Sequence, residues 1–295
     1  GLLAQPGALE VPETRDLAPL LPLPRATDHK GDRGRVAIVA GSRAFSGAAV
    51  LAARGALRMG AGYVYALIPD SIADVLRVAL PGVIVRELPS ADDGSLSAKA
   101  DLLAAVADAD AVVAGPGLTV GAGAARAVTA LVGGFGGPLV LDADALNVLA
   151  HDTAVLTGRR ASTVLTPHPG ELARLLGTQT KTVQADRIAA ASAMTTVSTV
   201  CLLKGPGTIV AGQDRHSIVS AGGPGLARAG TGDVLAGIIG TLLAQGVETY
   251  DAAVLGAHLH GRAGEAGAAA LTPTCLNAAD LDTYLPDAVR DLLGG

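Results

Sequence analysis

The residues best suited to chemistry lie in a glycine-rich turn, Gly230-Thr231-Gly232-Asp233, which runs into a long apolar segment. Glycines before a helix leave backbone N–H groups bare, and together with the helix dipole they form a site suited to phosphate. The turn therefore predicts an anion site at the start of a helix that opens at about Thr231. Six apolar residues at helical spacing predict one buried face of that helix: Val234, Leu235, Ile238, Ile239, Leu242 and Leu243.

Asp233 is the acid of this turn, and a carboxylate there competes with the phosphate it faces. It is either an N-terminal capping acid or a base that takes a proton from a hydroxyl attacking the phosphate. The glycine-rich approach that begins at Gly222 favours the base.

A second turn, Lys204-Gly205-Pro206-Gly207-Thr208, follows the apolar segment 200–203. Two glycines around a proline make a tight turn that lets a flat ligand or a phosphate approach the backbone. Only four of the 22 basic residues are lysines, which makes a lysine in such a turn more notable. A surface hairpin with a solvated lysine is the alternative. The turn is not a Walker A loop, because Gly-Lys-Ser/Thr does not occur in the sequence.

The segment Thr166-Pro-His-Pro-Gly-Glu171 is a third candidate. Pro167 and Pro169 fix the backbone on both sides of His168 at the end of a predicted strand, which favours a binding role for this histidine. Glu171 is expected to open the next helix.

Weaker candidates follow three other predicted strands, at 41–49, 115–117 and 142–144. Asp144 fits the N-cap of a helix beginning at Ala145 as well as a ligand contact. The loop 41–49 fits a ligand contact or a plain connection. The pair His258 and His260 would lie on different faces of a helix, which is unfavourable for chelating a metal.

These loops lie between strands and helices that must position them. Strand–loop–helix units recur around residues 35–40, 63–68, 111–114, 138–141 and 162–165, which indicates a mainly parallel sheet covered by helices. In such a sheet, binding residues gather at the carboxyl ends of the strands. Shorter strands around 208–211 and 217–220 predict an antiparallel edge.

The proline-rich residues 1–30 are predicted to form an extended N-terminal arm or linker, and residues 31–295 one domain. A net charge of −5 and an aromatic content of 2% argue against nucleic-acid binding. No apolar run suits a membrane span, and the first residues do not have the pattern of a signal peptide. The two cysteines are expected to be reduced, so we expect a cytoplasmic protein.

Together the motifs resemble those of the nucleotide-dependent NAD(P)H-hydrate dehydratases of the ribokinase-like fold. The resemblance covers about residues 30–285. Six motifs carry it, in this order along the chain: His29-Lys-Gly-Asp-Arg-Gly-Arg-Val36, Gly115-Pro-Gly-Leu118, Leu141-Asp-Ala-Asp-Ala-Leu-Asn147, Thr166-Pro-His-Pro-Gly-Glu171, Lys204-Gly-Pro-Gly-Thr208 and Gly230-Thr-Gly-Asp-Val-Leu-Ala-Gly237.

The resemblance implies a three-layer α/β/α sandwich and a lyase that repairs a metabolite. The S-form of hydrated NADH or NADPH would be dehydrated while ADP is converted to AMP and phosphate, or ATP to ADP and phosphate. Asp233 would be the catalytic base. The implied site residues are Ala48, Ala49, Gly117, His168 and Asp233 for the substrate, and Lys204, Gly205, Pro206, Gly207, Thr208, Gly230, Thr231 and Gly232 for the nucleotide.

The same resemblance implies Mg²⁺ for the phosphates, although the sequence shows no dedicated ligand cage. It also implies a homo-oligomer, commonly a tetramer, and an epimerase that is fused or separate. The chain departs from the family pattern at Gly223 and at Arg228-Ala229, both in the loop before Gly230, and at Phe45, but none of these departures removes a proposed catalytic group.

Two alternatives remain open on the sequence. A vitamin-precursor kinase of the same fold would share the anion site and the aspartate base but would release a stable phosphorylated product. A non-catalytic nucleotide sensor would bind the nucleotide without turnover. The histidine loop and the Lys204 turn favour the dehydratase over the kinase, and the intact Gly-Thr-Gly-Asp argues against the sensor.

Overall fold

A computed structural model describes residues 9–295, and its centre is one ten-stranded sheet. The strands lie in the order β1-β10-β9-β8-β7-β6-β5-β2-β3-β4. Their bounds are β1 Leu9–Glu10, β2 Arg35–Val39, β3 Tyr63–Pro69, β4 Ile84–Leu88, β5 Ala111–Ala114, β6 Leu139–Leu141, β7 Thr163–Leu165, β8 Thr199–Leu203, β9 Thr208–Ala211 and β10 His216–Val219.

Seven neighbouring strands of the sheet, β4, β3, β2, β5, β6, β7 and β8, run parallel to one another. β9 then runs antiparallel to β8, and β10 antiparallel to β9. This arrangement confirms the predicted fold class, a mainly parallel sheet with an antiparallel edge.

Helices cover both faces of the sheet. They are α1 Thr14–Leu17, α2 Ser46–Arg58, α3 Ala73–Ala79, α4 Leu102–Ala105, α5 Ala122–Gly134, α6 Asp144–Leu149, α7 Pro169–Leu175, α8 Thr180–Ala185, α9 Arg187–Ser192, α10 Thr231–Ala244, α11 Thr249–Leu271 and α12 Leu281–Leu292. Short 3₁₀ turns lie at Ala18–Leu20, Asp70–Ile72, Thr153–Leu156, Pro224–Leu226 and Ala278–Asp280.

The alternation of side chains along each strand divides the core into two layers. In β2, Val36 and Ile38 join the layer that contains residues of α2, α10 and α11, whereas Ala37 and Val39 join the layer that contains residues of α5, α6 and α7. The central strands are mainly apolar because both of their faces are covered. The polar candidate residues Asp142, His168 and Lys204 lie in the loops that follow them.

Helix α10 packs against α2 at unusually close range. A side chain on Gly237 would lie 2.0 Å from the Ala52 carbonyl oxygen, and one on Gly55 would lie 2.4 Å from that of Val234. This confirms that the small residues of α10 permit close packing. The single buried face predicted for α10 understates the burial, because Ala236, Gly237, Gly240 and Thr241 are buried as well. Its start, which carries Asp233, is thereby held firmly at the sheet edge.

The described residues of the proline-rich segment pack against the domain. β1 pairs with β10, and Leu17 and Leu21 are buried in the α2–α10–α11 layer of the core. The sequence did not predict these contacts, because two leucines among prolines show no periodicity. The boundary after residue 30 itself stays a prediction, and residues 1–8 lie outside the described part of the chain.

Within residues 9–295, no helix is long and apolar enough to cross a membrane. Cys201 is buried and Cys275 is exposed, and both are free thiols.

The burial of Leu17 leads to a stability prediction. Leu17 is 3% exposed and Leu23 is 55% exposed. Truncating Leu17 to alanine should lower the free energy of unfolding by about 2–4 kcal/mol, because it removes a buried side chain and leaves a cavity. Leu23→Ala is the matched control and should change it by less than about 0.5 kcal/mol. Chemical denaturation of the three proteins measures both values, and equal losses would show that Leu17 does not belong to the core.

Candidate active site

The loops at the carboxyl ends of β2, β5, β6, β7 and β8 meet at one edge of the sheet. The Gly41 N–H donates to the Pro116 carbonyl at 2.8 Å, which joins the loop after β2 to the loop after β5. The Thr166 hydroxyl donates to Asp142 Oδ1 at 2.8 Å, which joins the loop after β7 to the loop after β6. The Lys204 N–H donates to the Pro167 carbonyl at 2.9 Å, which joins the loop after β8 to the loop after β7. The structure thus brings the predicted loops together.

The Lys204 ammonium lies at the centre of this edge. It donates to Asp142 Oδ1 at 2.8 Å, and its Nζ is 3.9 Å from Glu171 Oε2. Burial acts to lower the Lys204 pKa, but the charges of Asp142, Glu171 and Asp233 outweigh it and raise the pKa above its usual value. Lys204 is therefore a cation. The turn is a hairpin, because it joins the antiparallel strands β8 and β9, but its lysine is paired with Asp142 and is only 22% exposed, so the expectation of a solvated lysine is wrong.

Helix α10 begins beside this ammonium. Gly230 has φ 93°, a left-handed conformation that favours glycine. No acceptor for the Gly232 N–H is found among the described residues, so this donor is bare at the positive end of the helix. A side chain on Gly232 would lie 3.1 Å from Lys204 Nζ, so the space in front of Gly232 is shared with a cation. These features form the anion site predicted from the sequence.

Asp233 lies on the first turn of α10 but does not cap it. Gly230 occupies the cap position, and no side chain makes a capping hydrogen bond there. Burial raises the Asp233 pKa to about 7, with further raising by the Asp142, Asp144 and Glu171 charges and partial lowering by Lys204. The capping alternative is therefore wrong. A half-buried carboxyl with a pKa near neutrality is suited to accept a proton.

His168 is the N-cap of α7. Its Nδ1 accepts hydrogen bonds from the N–H groups of Gly170 and Glu171 at 3.0 and 3.3 Å. Because Nδ1 is an acceptor, Nε2 carries the proton of the neutral ring, 3.5 Å from Glu171 Oε1. The side chain is 50% exposed and leaves Nε2 available to a ligand. Glu171 reciprocates by accepting the His168 N–H at 2.8 Å, which confirms that it opens the helix.

Gly117, Ala48 and Ala49 lie together on another side of the edge. Gly117 has φ 63°, and a side chain there would lie 2.9 Å from Ala48 Cβ and 2.7 Å from the Phe45 carbonyl oxygen. Ala48 and Ala49 are in the first turn of α2, with Ala49 buried. Phe45, just before α2, is exposed. Gly117 therefore packs closely against the start of α2, and no larger side chain fits at this position.

The turn 204–208 forms one wall of a cavity of 530 Å³. Gly205 and Gly207 have φ 139° and 60°, so glycine is required at both positions. The opposite wall comprises residues 220–227, and Thr231 and Gly232 lie at one end. The Thr231 hydroxyl donates to the Leu226 and Arg228 carbonyls and so ties this wall to α10. The cavity therefore joins the turn 204–208 to the anion site.

Three functional candidates carried no clear signal in the sequence. Asp142 is 1% exposed, its Oδ1 binds Lys204, and its Oδ2 lies 3.8 Å from the position of a side chain on Gly232. The buried His260 ring lines the cavity and donates from Nε2 to the Thr231 carbonyl at 2.9 Å. Burial lowers the His260 pKa to about 4, so the ring is neutral. Glu265 Oε1 accepts the Gly222 N–H at 2.7 Å and fixes the far wall.

Asp144 does not cap its helix. The cap position belongs to Ala143, whose φ of 49° starts α6 one residue earlier than expected. The Asp144 carboxylate instead accepts from the Thr119 N–H at 2.9 Å and from the Asn147 side chain at 3.2 Å. It therefore stabilises the loop after β5. His258 and His260 have different partners, Thr14 and Thr231, as expected for rings on different helix faces.

No group of three or more metal-ligating side chains is found among residues 9–295. The oxygen atoms that a hard cation prefers are nevertheless present near Gly232. Asp142 Oδ2 has no hydrogen-bond partner in the described part of the chain, and Glu171 Oε1 is directed towards His168. One or two carboxylates are sufficient when a cation obtains its other ligands from phosphates and water.

The chain is similar in sequence to known proteins along most of its length. A family model described as NAD(P)H-hydrate dehydratase matches residues 36–287. The chain is 43% identical to the bifunctional NAD(P)H-hydrate repair enzyme of Moorella thermoacetica, over 92% of this chain and 52% of that protein. It is 42% identical to the ADP-dependent (S)-NAD(P)H-hydrate dehydratase of Neisseria meningitidis serogroup B, over 82% of this chain and 80% of that protein. The chain spans about half the length of the bifunctional relatives it matches.

A solved structure of the ADP/ATP-dependent NAD(P)H-hydrate dehydratase from Bacillus subtilis, co-crystallised with ATP and Mg²⁺, superimposes on the chain with a TM-score of 0.81. The two sequences are 30% identical, and the match covers 95% of this chain and 97% of that one. The predicted ribokinase-like fold is thus confirmed.

The raised Asp233 pKa predicts a pH-dependent cost in stability. The Asp233 pKa is about 7 in the folded protein and 3.8 for the free group, so the folded state binds the proton more tightly. This tighter proton binding stabilises the folded state at low pH. The stabilisation is lost as the pH rises from 3.8 towards 7. At pH 8, Asp233→Asn should raise the free energy of unfolding by about 4 kcal/mol, and at pH 4 by less than about 1 kcal/mol.

Denaturation curves at the two pH values measure this difference. Asp92→Asn, which alters an exposed acid, is the control and should show no such dependence on pH. An Asp233→Asn protein that is no more stable at pH 8 than the parent would contradict the raised pKa.

Proposed function

Because the chain belongs to the NAD(P)H-hydrate dehydratase family, we propose that it dehydrates the S-form of hydrated NADH or NADPH at the expense of an adenine nucleotide. The observation that carries this proposal is the half-buried Asp233 carboxyl, with a pKa of about 7, beside the bare Gly232 N–H. A base and a phosphate site one residue apart are what phosphorylation of a hydroxyl requires.

The reaction begins with the hydroxyl of the hydrated nicotinamide ring. Asp233 takes its proton, and the oxygen attacks the terminal phosphorus of the nucleotide. A P–O bond forms to the substrate while the bond to the remaining nucleotide breaks, so ATP leaves as ADP, or ADP as AMP. The Gly232 N–H and the Lys204 ammonium stabilise the charge on the phosphoryl oxygens as it is transferred.

Elimination then restores the reduced cofactor. Hydroxide is a poor leaving group, whereas phosphate is a good one. The C–O bond breaks and its electrons leave with the phosphate, while loss of the proton from the adjacent carbon forms the ring double bond. The balance is hydrate plus ATP to NAD(P)H, ADP, phosphate and a proton, or the same with ADP and AMP.

The nucleotide is assigned to the cavity between the turn 204–208 and the wall 220–227. Its phosphates would lie along Gly205, Pro206 and Gly207 and end at Gly232, with Thr208, Gly230 and Thr231 at the margins. The hydrated cofactor would approach from the other side, past Ala48, Ala49 and Gly117, with His168 Nε2 as a hydrogen-bond donor. This orientation puts its hydroxyl between Asp233 and the terminal phosphate.

Mg²⁺ is the expected metal, as in the Bacillus subtilis crystals. When bound, it would neutralise phosphate charge. Asp142, whose Oδ2 lies beside Gly232, and Glu171, which lies beside Lys204, would supply its oxygen ligands, and both already balance Lys204. A cytoplasmic location, assembly into a homo-oligomer such as a tetramer, and an epimerase partner, fused or separate, stay predictions. The Neisseria relative is ADP-dependent, and we expect this protein to use ADP in preference to ATP.

The decisive assay follows the absorbance of reduced nicotinamide. Hydrated NADH incubated with the protein, Mg²⁺ and either ADP or ATP should regain this absorbance, and one phosphate should be released per NADH formed. A vitamin-precursor kinase would leave the absorbance unchanged and would instead phosphorylate an alcohol. A nucleotide sensor would bind ADP or ATP without any turnover. Either of these results would overturn the proposed activity.

Asp233 should control both the rate and its pH dependence. Asp233→Asn should lower kcat by roughly 10²–10⁴-fold, because the amide cannot accept the proton, while nucleotide affinity is largely kept. In the parent, kcat/KM should rise with pH and level off above about 7, since the carboxyl acts as a base only after it has lost its proton. Asp92→Asn is the control. A rate that falls as the pH rises through 7 would contradict this role.

A further inference from the structure

A guanidinium lies directly behind the turn 204–208, on the side away from the cavity. Arg187, the first residue of α9, donates from Nη1 to the Pro206 carbonyl and from Nη2 to the Leu203 and Lys204 carbonyls at 3.2 and 3.3 Å. A side chain on Gly205 would lie 3.1 Å from Nη2. One side chain thus binds three of the four carbonyl groups from residue 203 to residue 206.

These hydrogen bonds determine which way the turn faces. When the carbonyls are drawn towards Arg187, the N–H groups of the same peptides are left on the opposite side. No acceptor for the N–H of Gly205 or of Gly207 is found among residues 9–295. These two N–H groups flank Pro206, which has no N–H, and both glycines line the cavity. Bare backbone N–H groups at a concave surface attract anions. Lys204 and Gly232 line the same cavity.

The Arg187 charge is not balanced by protein. Burial lowers its pKa, and no carboxylate of the described residues counters that shift. Nε is buried and has no hydrogen-bond partner among them. An arginine nevertheless stays charged, because its pKa is far above neutrality. The phosphates expected on the other side of the turn would be the nearest compensating charge.

We propose that Arg187 is a positioning residue for the nucleotide phosphates, shaping the turn 204–208 through its carbonyls and supplying an uncompensated positive charge behind it. The inference rests on the proposed nucleotide site but not on the dehydration itself. It assigns to α9 a part in nucleotide binding that no sequence motif indicated.

Arg159 provides a matched control. Its guanidinium is more deeply buried than that of Arg187 and is likewise bound by carbonyls, those of Leu131, Val132, Phe135 and Gly137, with Nε donating to the Thr163 hydroxyl. These partners lie where α5 ends and β6 and β7 begin, at the edge of the sheet opposite to the cavity. Arg159 therefore has the same kind of structural role without a phosphate site in front of it.

The test measures the dissociation constants of ADP and ATP by calorimetry, together with the thermal midpoint, for the parent, Arg187→Lys, Arg187→Gln and Arg159→Lys. Arg187→Gln should weaken nucleotide binding roughly tenfold or more, because it removes charge-assisted hydrogen bonds and the charge itself. Arg187→Lys keeps the charge but loses the planar fork, and should lie between. Arg159→Lys should lower the thermal midpoint and leave both dissociation constants unchanged.

Two further measurements distinguish a positioning role of Arg187 from a general loss of structure. Raising the ionic strength should weaken ATP binding by the parent and by Arg187→Lys more than by Arg187→Gln, because the glutamine has no charge to screen. In the absorbance assay, the KM for the nucleotide should rise in the Arg187 variants while that for the hydrate stays constant.

A folded Arg187→Gln protein with parental ADP and ATP affinity would overturn the proposal. So would weaker binding that only parallels a lower thermal midpoint, as a structural defect would give. Because calorimetry needs no turnover, a protein that binds nucleotide but never restores NADH would refute the proposed function and still decide the role of Arg187.

Discussion

The arrangement of charges around Lys204 is the constraint on which the rest of the site depends. One ammonium lies among Asp142, Glu171 and Asp233, next to the bare N–H of Gly232. Burial is the main cause that raises the Asp233 pKa, the charges of Asp142 and Glu171 raise it further, and Lys204 lowers it in part. Asp142 and Glu171 accept hydrogen bonds from Thr166 and from the His168 backbone.

The same cluster explains why the surrounding residues are small. Any side chain on Gly232 would contact the Lys204 ammonium, and close packing of α10 on α2 depends on Gly55 and Gly237. A larger residue in either helix would move the start of α10, and with it Asp233, away from the anion site. The packing of α10 on α2 and the proton affinity of Asp233 are therefore linked in this protein. The sheet also determines the positions of the site loops, because its short buried strands fix where each loop begins.

The sequence predicts the loops better than the contacts between them. The glycine and proline turns at 166–171, 204–208 and 230–233 were recognisable, because they follow apolar strands and require particular backbone conformations. The pairing of Lys204 with Asp142 was not, since the two residues are far apart in the chain and meet only when β6 and β8 enter one sheet. The sequence left Asp144 open between a cap of α6 and a ligand contact, because the φ of Ala143 could not be foreseen. Arg187 and Leu17 lie in segments without periodicity, and their partners come from tertiary packing alone.

Titration of the Asp233 carboxyl itself tests this account most directly. Carbon-13 NMR of aspartate-labelled protein, with Asp233→Asn used to assign the signal, follows the carboxyl of the resting protein without substrate or nucleotide. Burial of Asp233, together with the charges of its acidic neighbours, predicts a midpoint at about pH 7. A midpoint near 4, the ordinary value of an aspartate, would show that Asp233 is ionised at all working pH values and would contradict its role as a base tuned by burial and by its acidic neighbours.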